Sequence, residues 1–157
     1  MAKSPWLQVV STSPKVVTLT ILASLPPWQF VPTSIAHVLS TGASGIGYYI
    51  CAAFMRAGCA KVIIASRKED QLRDACDKLN SIGCPGKASY IISNVSTMEG
   101  VEKLTADLKK VLPDGKLHIL VNNAAASWGG SFEDFDDWKV AKTFDVNVRA
   151  VFNLTRR

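Results

Sequence analysis

Gly42, Gly45 and Gly47 are three glycines within six residues, in the run Thr41-Gly42-Ala43-Ser44-Gly45-Ile46-Gly47, which separates an apolar segment from an amphipathic one. A glycine turn that joins a buried strand to a helix binds pyrophosphate. It lets the backbone come close, and the helix start offers unpaired N–H groups with a partial positive charge. A tight turn with no ligand has the same local sequence, so other residues must decide between the two. The next apolar run ends in Ser66-Arg67-Lys68. At that place a dinucleotide fold carries an acid for ribose hydroxyls or an arginine for a 2′-phosphate, and Arg67 therefore favours NADP(H). The plainer alternative is that Arg67 and Lys68 merely open a solvated helix, with Glu69 and Asp70 partly neutralising them.

These residues need a scaffold, and the pattern from Ile35 onward supplies one. Short apolar runs alternate with longer periodic segments, as in repeated βαβ units around a parallel sheet. Strands are expected at Ile35–Leu39, Lys61–Ala65, Ala88–Ile92 and Leu117–Val121. One helix follows the glycine turn through Met55 and is stopped by Gly58. A second spans Glu69–Asn80, with Leu72, Ala75, Cys76 and Leu79 on one face. Ser96-Thr97-Met98-Glu99 reads as a capping box that opens a third, whose apolar stripe is Val101, Leu104, Leu108 and Val111. A last helix is expected from about Asp136 to Arg157. The fold class is α/β, a partial doubly wound parallel sheet of four strands in the order 3-2-1-4 with its last strands missing. Strand Leu117–Val121 is then expected to be a bare apolar edge.

Composition excludes other classes. The 157 residues are 48% hydrophobic and 20% charged, which is ordinary for one globular domain. The net charge of +5 comes from Lys and Arg spread along the chain without a basic run, so no nucleic-acid partner is expected. Cys51, Cys59, Cys76 and Cys84 have no C-x-x-C spacing, and His37 and His118 sit among apolar neighbours, so no metal is expected. Reduced thiols fit an intracellular, cytoplasmic protein. Residues 1–34 read as a leader of uncertain structure; its apolar run Val16–Leu25 is too short to span a bilayer, and no membrane association is expected. Residues 35–157 read as the dinucleotide-binding domain.

The order of motifs resembles a known family. The glycine run, Asn122-Asn123-Ala124-Ala125, Trp138 and Asn147 resemble the TGxxxGIG, NNAG and helix-asparagine motifs of the short-chain dehydrogenase/reductases. Ser127-Trp128-Gly129 through Phe132-Glu133-Asp134-Phe135 is similar to the 3-oxoacyl reductase-like branch, which includes many fungal enzymes of secondary metabolism. The resemblance implies NADP-dependent hydride transfer between nicotinamide and a carbonyl or alcohol substrate. It places Gly42, Ser44, Gly45, Ile46 and Gly47 around the pyrophosphate and its ribose, and Arg67, between Ser66 and Lys68, at the 2′-phosphate. Asn94-Val95 stands where the family has Asp-Val, whose side chain contacts the adenine amino group. Asn122, Asn123 and Ala124 would line the cofactor and brace the sheet, Asn147 would support the proton relay, and the last helix would contribute to pairing with a second copy or a full-length relative.

The pattern also departs from the family. Gly42, Gly45 and Gly47 give GxxGxG, one residue shorter than GxxxGxG; Asn94 lacks the aspartate charge; Ala125 replaces the glycine of NNAG. Tyr48, Tyr49 and Tyr90 have no lysine four positions later, so the serine and YxxxK residues of the reaction are expected beyond Arg157. Three readings stay open at this point: the front portion of an NADP-dependent oxidoreductase, a non-catalytic NADP-binding or dimerisation module, and a degenerate truncated product.

Overall fold

The structure, a computed structural model, describes residues 10–13, 16–18, 37–41, 43–112 and 115–157; Ile35, Ala36 and Gly42 lie outside them. Strands β1 (Val10–Ser13), β2 (Val16–Thr18), β3 (His37–Thr41), β4 (Lys61–Ser66), β5 (Lys87–Ile92) and β6 (Ile119–Val121) form one sheet in the order β1-β2-β6-β3-β4-β5. Helix α1 (Ile46–Arg56) links β3 to β4, α2 (Glu69–Asn80) links β4 to β5, and α3 (Met98–Val111) links β5 to β6. The parallel part, β5-β4-β3-β6, is the expected 3-2-1-4 order.

The central strand explains why helices cover both faces. In β4, Val62 and Ile64 point into one core with Cys51, Met55, Leu72 and Leu79, while Ile63 and Ala65 point into the other with Val101, Leu104 and Leu154. A continuous β-branched run is apolar on both sides, so only a two-faced core satisfies it. Cys59 and Cys76 are buried free thiols, and burial pushes both up to about 11, which makes them packing residues rather than nucleophiles.

Local chemistry sets the helix ends. After Arg56 the chain turns through Gly58 at φ 87°, and Gly58 N–H and Cys59 N–H donate to the carbonyls of Met55 and Phe54. This is the left-handed glycine stop foreseen from the sequence. Helix α3 departs from expectation: its cap is Thr97, whose hydroxyl accepts from Gly100 N–H at 3.1 Å, and not Ser96. Ser96 is engaged elsewhere, with Asn94 and Lys142. Gly100 itself is required, since a Cβ there would run into the Asn94 carbonyl oxygen.

Among the described residues β3 pairs with β4 in register from His37 opposite Lys61 to Thr41 opposite Ala65. β6 starts at Ile119, opposite Val38, so Leu117 and His118 stay outside it. Nor is β6 a bare edge: β2 pairs with it in parallel, Val17 opposite Ile119 and Thr18 opposite Leu120, and β1 adds on antiparallel. Both strands come from within residues 1–34, where the β-branched residues Val16, Val17 and Thr18 favour extended backbone. At the opposite edge, the Asn80 side chain mimics a strand, accepting from Ala88 N–H at 2.9 Å and donating to its carbonyl at 3.1 Å.

The final helix is interrupted. α4 (Asp137–Phe144) and α5 (Ala150–Thr155) are joined by a π-helical turn, Asp145–Arg149. Such turns insert an extra residue and re-aim side chains, often at functional sites.

Candidate functional site

In a parallel sheet all strands end on one side, and the loops leaving β3, β4, β5 and β6 converge there. They enclose a cleft of about 970 Å3. Its first wall is the β3–α1 turn, where Ala43, Ser44 and Ile46 line the cleft. Helix α1 starts from Gly45 at φ 56° with no side-chain cap and no acidic residue in its first turn. Its leading N–H groups and its positive end are therefore open to an anion. Gly47 is buried within α1, and Gly45 borders a smaller hollow on the α2 side with Tyr48, Tyr49 and Asp74.

The second wall is the end of β4: Ala65, Ser66, Arg67 and Lys68. Arg67 and Lys68 are exposed and form no ion pair among the described residues. Glu69 and Asp70 pair instead with Arg73, at 3.8 and 3.6 Å, on the helix surface one turn away. A carboxylate three or four residues before an arginine is its natural helical neighbour. Arg67 and Lys68 therefore bring positive charge to the cleft with no ion pair among the described residues.

The third wall follows β5, with Ser93, Asn94, Val95 and Ser96. Ser93 is buried and its hydroxyl donates to the Gly100 carbonyl at 2.8 Å, which ties the loop to α3. The fourth wall is Asn123, Ala124, Ala125 and Ala126 after β6, closed by Trp128, Trp138, Lys142 and Asp145. Trp128 and Trp138 meet edge to face at 5.5 Å. Asn122 turns away and donates to Thr155 Oγ1 at 3.3 Å, so it braces α5 rather than lining the cleft.

Asn147 sits in the π-helical turn and does not reach the cleft. Its carboxamide clamps one backbone residue instead, accepting from Ala126 N–H and donating to the Ala126 carbonyl, both at 2.9 Å. The sequence alone does not place Lys142 or Ser96 here: they are 46 residues apart, and their 2.7 Å contact exists only after folding.

The residues fit a dinucleotide. The volume lies within the range of small-molecule sites, a helix start is open to phosphate, and an exposed arginine stands at the end of the second parallel strand. Ser44 and Ile46 would border the pyrophosphate, Arg67 and Lys68 a 2′-phosphate, Asn94 and Val95 the base, and Asn123 and Ala124 the nicotinamide side.

Residues 36–157 match the short chain dehydrogenase family model. The chain belongs to the short-chain dehydrogenase family. It is 35% identical over 123 residues to a short chain dehydrogenase of Pseudocercospora fijiensis, covering 76% of this chain and 38% of that protein. It is 30% identical over 120 residues to the rhamnolipids biosynthesis 3-oxoacyl-[acyl-carrier-protein] reductase of Pseudomonas aeruginosa, covering 76% and 44%. Among solved structures it is similar to L-sorbose reductase from Gluconobacter frateurii complexed with NADPH and L-sorbose, at TM-score 0.72 and 26% identity, over 79% of this chain and 46% of that one. It is likewise similar to actinorhodin polyketide ketoreductase with NADPH, at TM-score 0.70 and 29% identity, over 77% and 45%. The chain thus spans less than half the length of each. Among the described residues, no helix of this family member is long and apolar enough to cross a membrane.

The Asn147 clamp makes a measurable prediction. Asn147→Ala removes two side-chain bonds to Ala126, so it is expected to lower stability by about 1–2 kcal/mol in urea denaturation. It should also speed hydrogen exchange at the Ala126 amide, while β4 amides speed up by no more than the global loss of stability.

Proposed function

We propose that the chain is the cofactor-binding portion of an NADP(H)-dependent oxidoreductase acting on a carbonyl or alcohol substrate. The observation that carries this reading is Arg67: an exposed guanidinium, without an ion pair among the described residues, in the same cleft as the uncapped start of α1. An acid at this place would hold ribose hydroxyls and repel a 2′-phosphate; a guanidinium does the reverse. The named relatives support it, since the solved structures of L-sorbose reductase and of actinorhodin polyketide ketoreductase are NADPH complexes.

Bound NADP(H) supplies hydride to or accepts it from a carbon of the substrate. The chain's own residues bind and orient. The α1 start neutralises phosphate charge through fixed N–H groups, at no reorganisation cost when the ligand arrives. Arg67 and Lys68 anchor the adenosine end, and the Ala124–Ala126 backbone, held by Asn147, sets the floor at the other end. Trp128 and Trp138 form an apolar rim at that end.

Quenching of tryptophan fluorescence by NADPH tests this reading. Wild-type protein is expected to bind NADPH in preference to NADH. Arg67→Ala should weaken NADPH binding by roughly 10–150-fold, the worth of a charge-assisted contact of about 1.5–3 kcal/mol, and leave NADH within about twofold. Equal loss for both cofactors, or no binding of either by the wild type, would contradict it.

A second reading, a pairing module, is favoured by one observation. Val140, Phe144, Val148 and Phe152 recur at every fourth residue along the last helical segment and are 40%, 58%, 53% and 64% exposed. A row of large exposed apolar side chains on one helix is the usual face of an interface, here with a second copy of the chain. Sedimentation velocity is expected to show a dimer for the wild type and a monomer for the Phe144→Glu, Phe152→Glu double variant; a wild-type monomer at all concentrations would remove this reading.

A further inference from the structure

The loop after β5 carries a chain of hydrogen bonds whose direction is fixed at each step. Lys142 Nζ, which has donors only, donates to Ser96 Oγ at 2.7 Å. The Ser96 hydroxyl has one proton, and it goes to Asn94 Oδ1 at 2.8 Å. Ser96 backbone N–H, which cannot reverse, donates to the same Oδ1 at 3.3 Å. Both lone pairs of the Asn94 carboxamide oxygen are thereby engaged, and the carboxamide cannot flip without placing its NH2 group against an N–H donor. The Asn94 backbone is held as well, since its carbonyl accepts from Thr97 N–H and lies against Gly100.

What remains for the cleft is the Asn94 Nδ2 group, which has no partner among the described residues, although Asn94 lines the cleft. The position of Asn94 relates it to the base. In the NADP(H) reading the phosphates would sit at the α1 start and the adenosine ribose at the end of β4, so the base attached to that ribose would extend over the end of β5, where Asn94 and Val95 stand.

We infer that Asn94 offers the purine a hydrogen-bond donor where an aspartate would offer an acceptor, so that the chain loses the means to select the 6-amino group of adenine. This inference rests on the NADP(H) reading above. Adenine presents an amino donor at C6, whereas hypoxanthine presents an oxygen acceptor there, as guanine does. Nδ2 cannot receive the amino group but can donate to the oxygen or to a ring nitrogen. Lys142 and Ser96 are positioning residues in this account: they set which atom of Asn94 faces the base.

The test is a fluorescence titration of the whole chain with NADPH and with its hypoxanthine analogue, nicotinamide hypoxanthine dinucleotide phosphate in reduced form. The wild type is expected to bind the two within about threefold of each other. Asn94→Asp keeps the acceptor for Ser96 and adds a second, outward-facing acceptor, so it should create a preference for NADPH of about tenfold or more. Binding of NADPH with a tenfold or larger preference over the analogue by the wild type, or an unchanged ratio in Asn94→Asp, would overturn this inference and leave the cofactor reading standing. Failure of the wild type to bind NADPH at all would overturn the cofactor reading, and this inference with it.

Discussion

The structure depends on parallel strand pairing between β3 and β4, in unbroken register from His37–Lys61 to Thr41–Ala65. Parallel strands need long crossovers, and burial on both faces puts those crossovers on both sides of the sheet. One geometric consequence follows without further design: the strands end together, and four otherwise unrelated loops meet at one edge. The turn to α1, the Ser66–Lys68 segment, the Ser93–Ser96 loop and the Asn123–Ala126 segment share a cleft for that reason alone. The core on each face, Val62 and Ile64 on one side and Ile63 and Ala65 on the other, holds these loops at fixed spacing.

Electrostatics then turn a crevice into a site for an anionic ligand. The α1 start is left without a cap or an acid, and the neighbouring acids are drawn to Arg73. Either change alone would leave a weak anion site; together they put a helix terminus and two cations around one volume. The walls away from the phosphates are held by two side-chain-to-backbone clamps, Asn147 on Ala126 and Ser93 on Gly100. Each uses a short polar side chain to bond the backbone of another segment.

Much of this was legible in the sequence, and the reasons separate cleanly. The β-branched run Lys61–Ala65 and the apolar spacing of Leu72, Ala75, Cys76 and Leu79 are local signals, and both elements formed where expected. Arg67 was legible because its place at a strand end is also local. What the sequence concealed was non-local. Strand β2 was unreadable as a strand because its partner, β6, lies a hundred residues further along, and only that pairing selects extended backbone over a leader-like run. Ser96 looked like a cap by spacing, but Lys142 and Asn94 claim its hydroxyl and pass the cap to Thr97. Asn122 and Asn147 belong to recognisable motifs, but the partners they brace, Thr155 and Ala126, are 33 and 21 residues away and emerge only on folding. The π-helical turn that aims Asn147 has no signature in the apolar periodicity.

The central claim is that three loops at the ends of β3, β4 and β5 act as a single site for the adenosine half of NADP(H). Backbone amide NMR during titration with adenosine 2′,5′-bisphosphate tests it most directly, because that ligand carries the 2′-phosphate and base but no nicotinamide. The account predicts saturable shifts that report one common Kd at Ser44–Tyr48, Ser66–Lys68 and Asn94–Ser96, with α3 amides beyond Val101 unmoved. Shifts confined to one of these segments, or separate affinities for each, would contradict it.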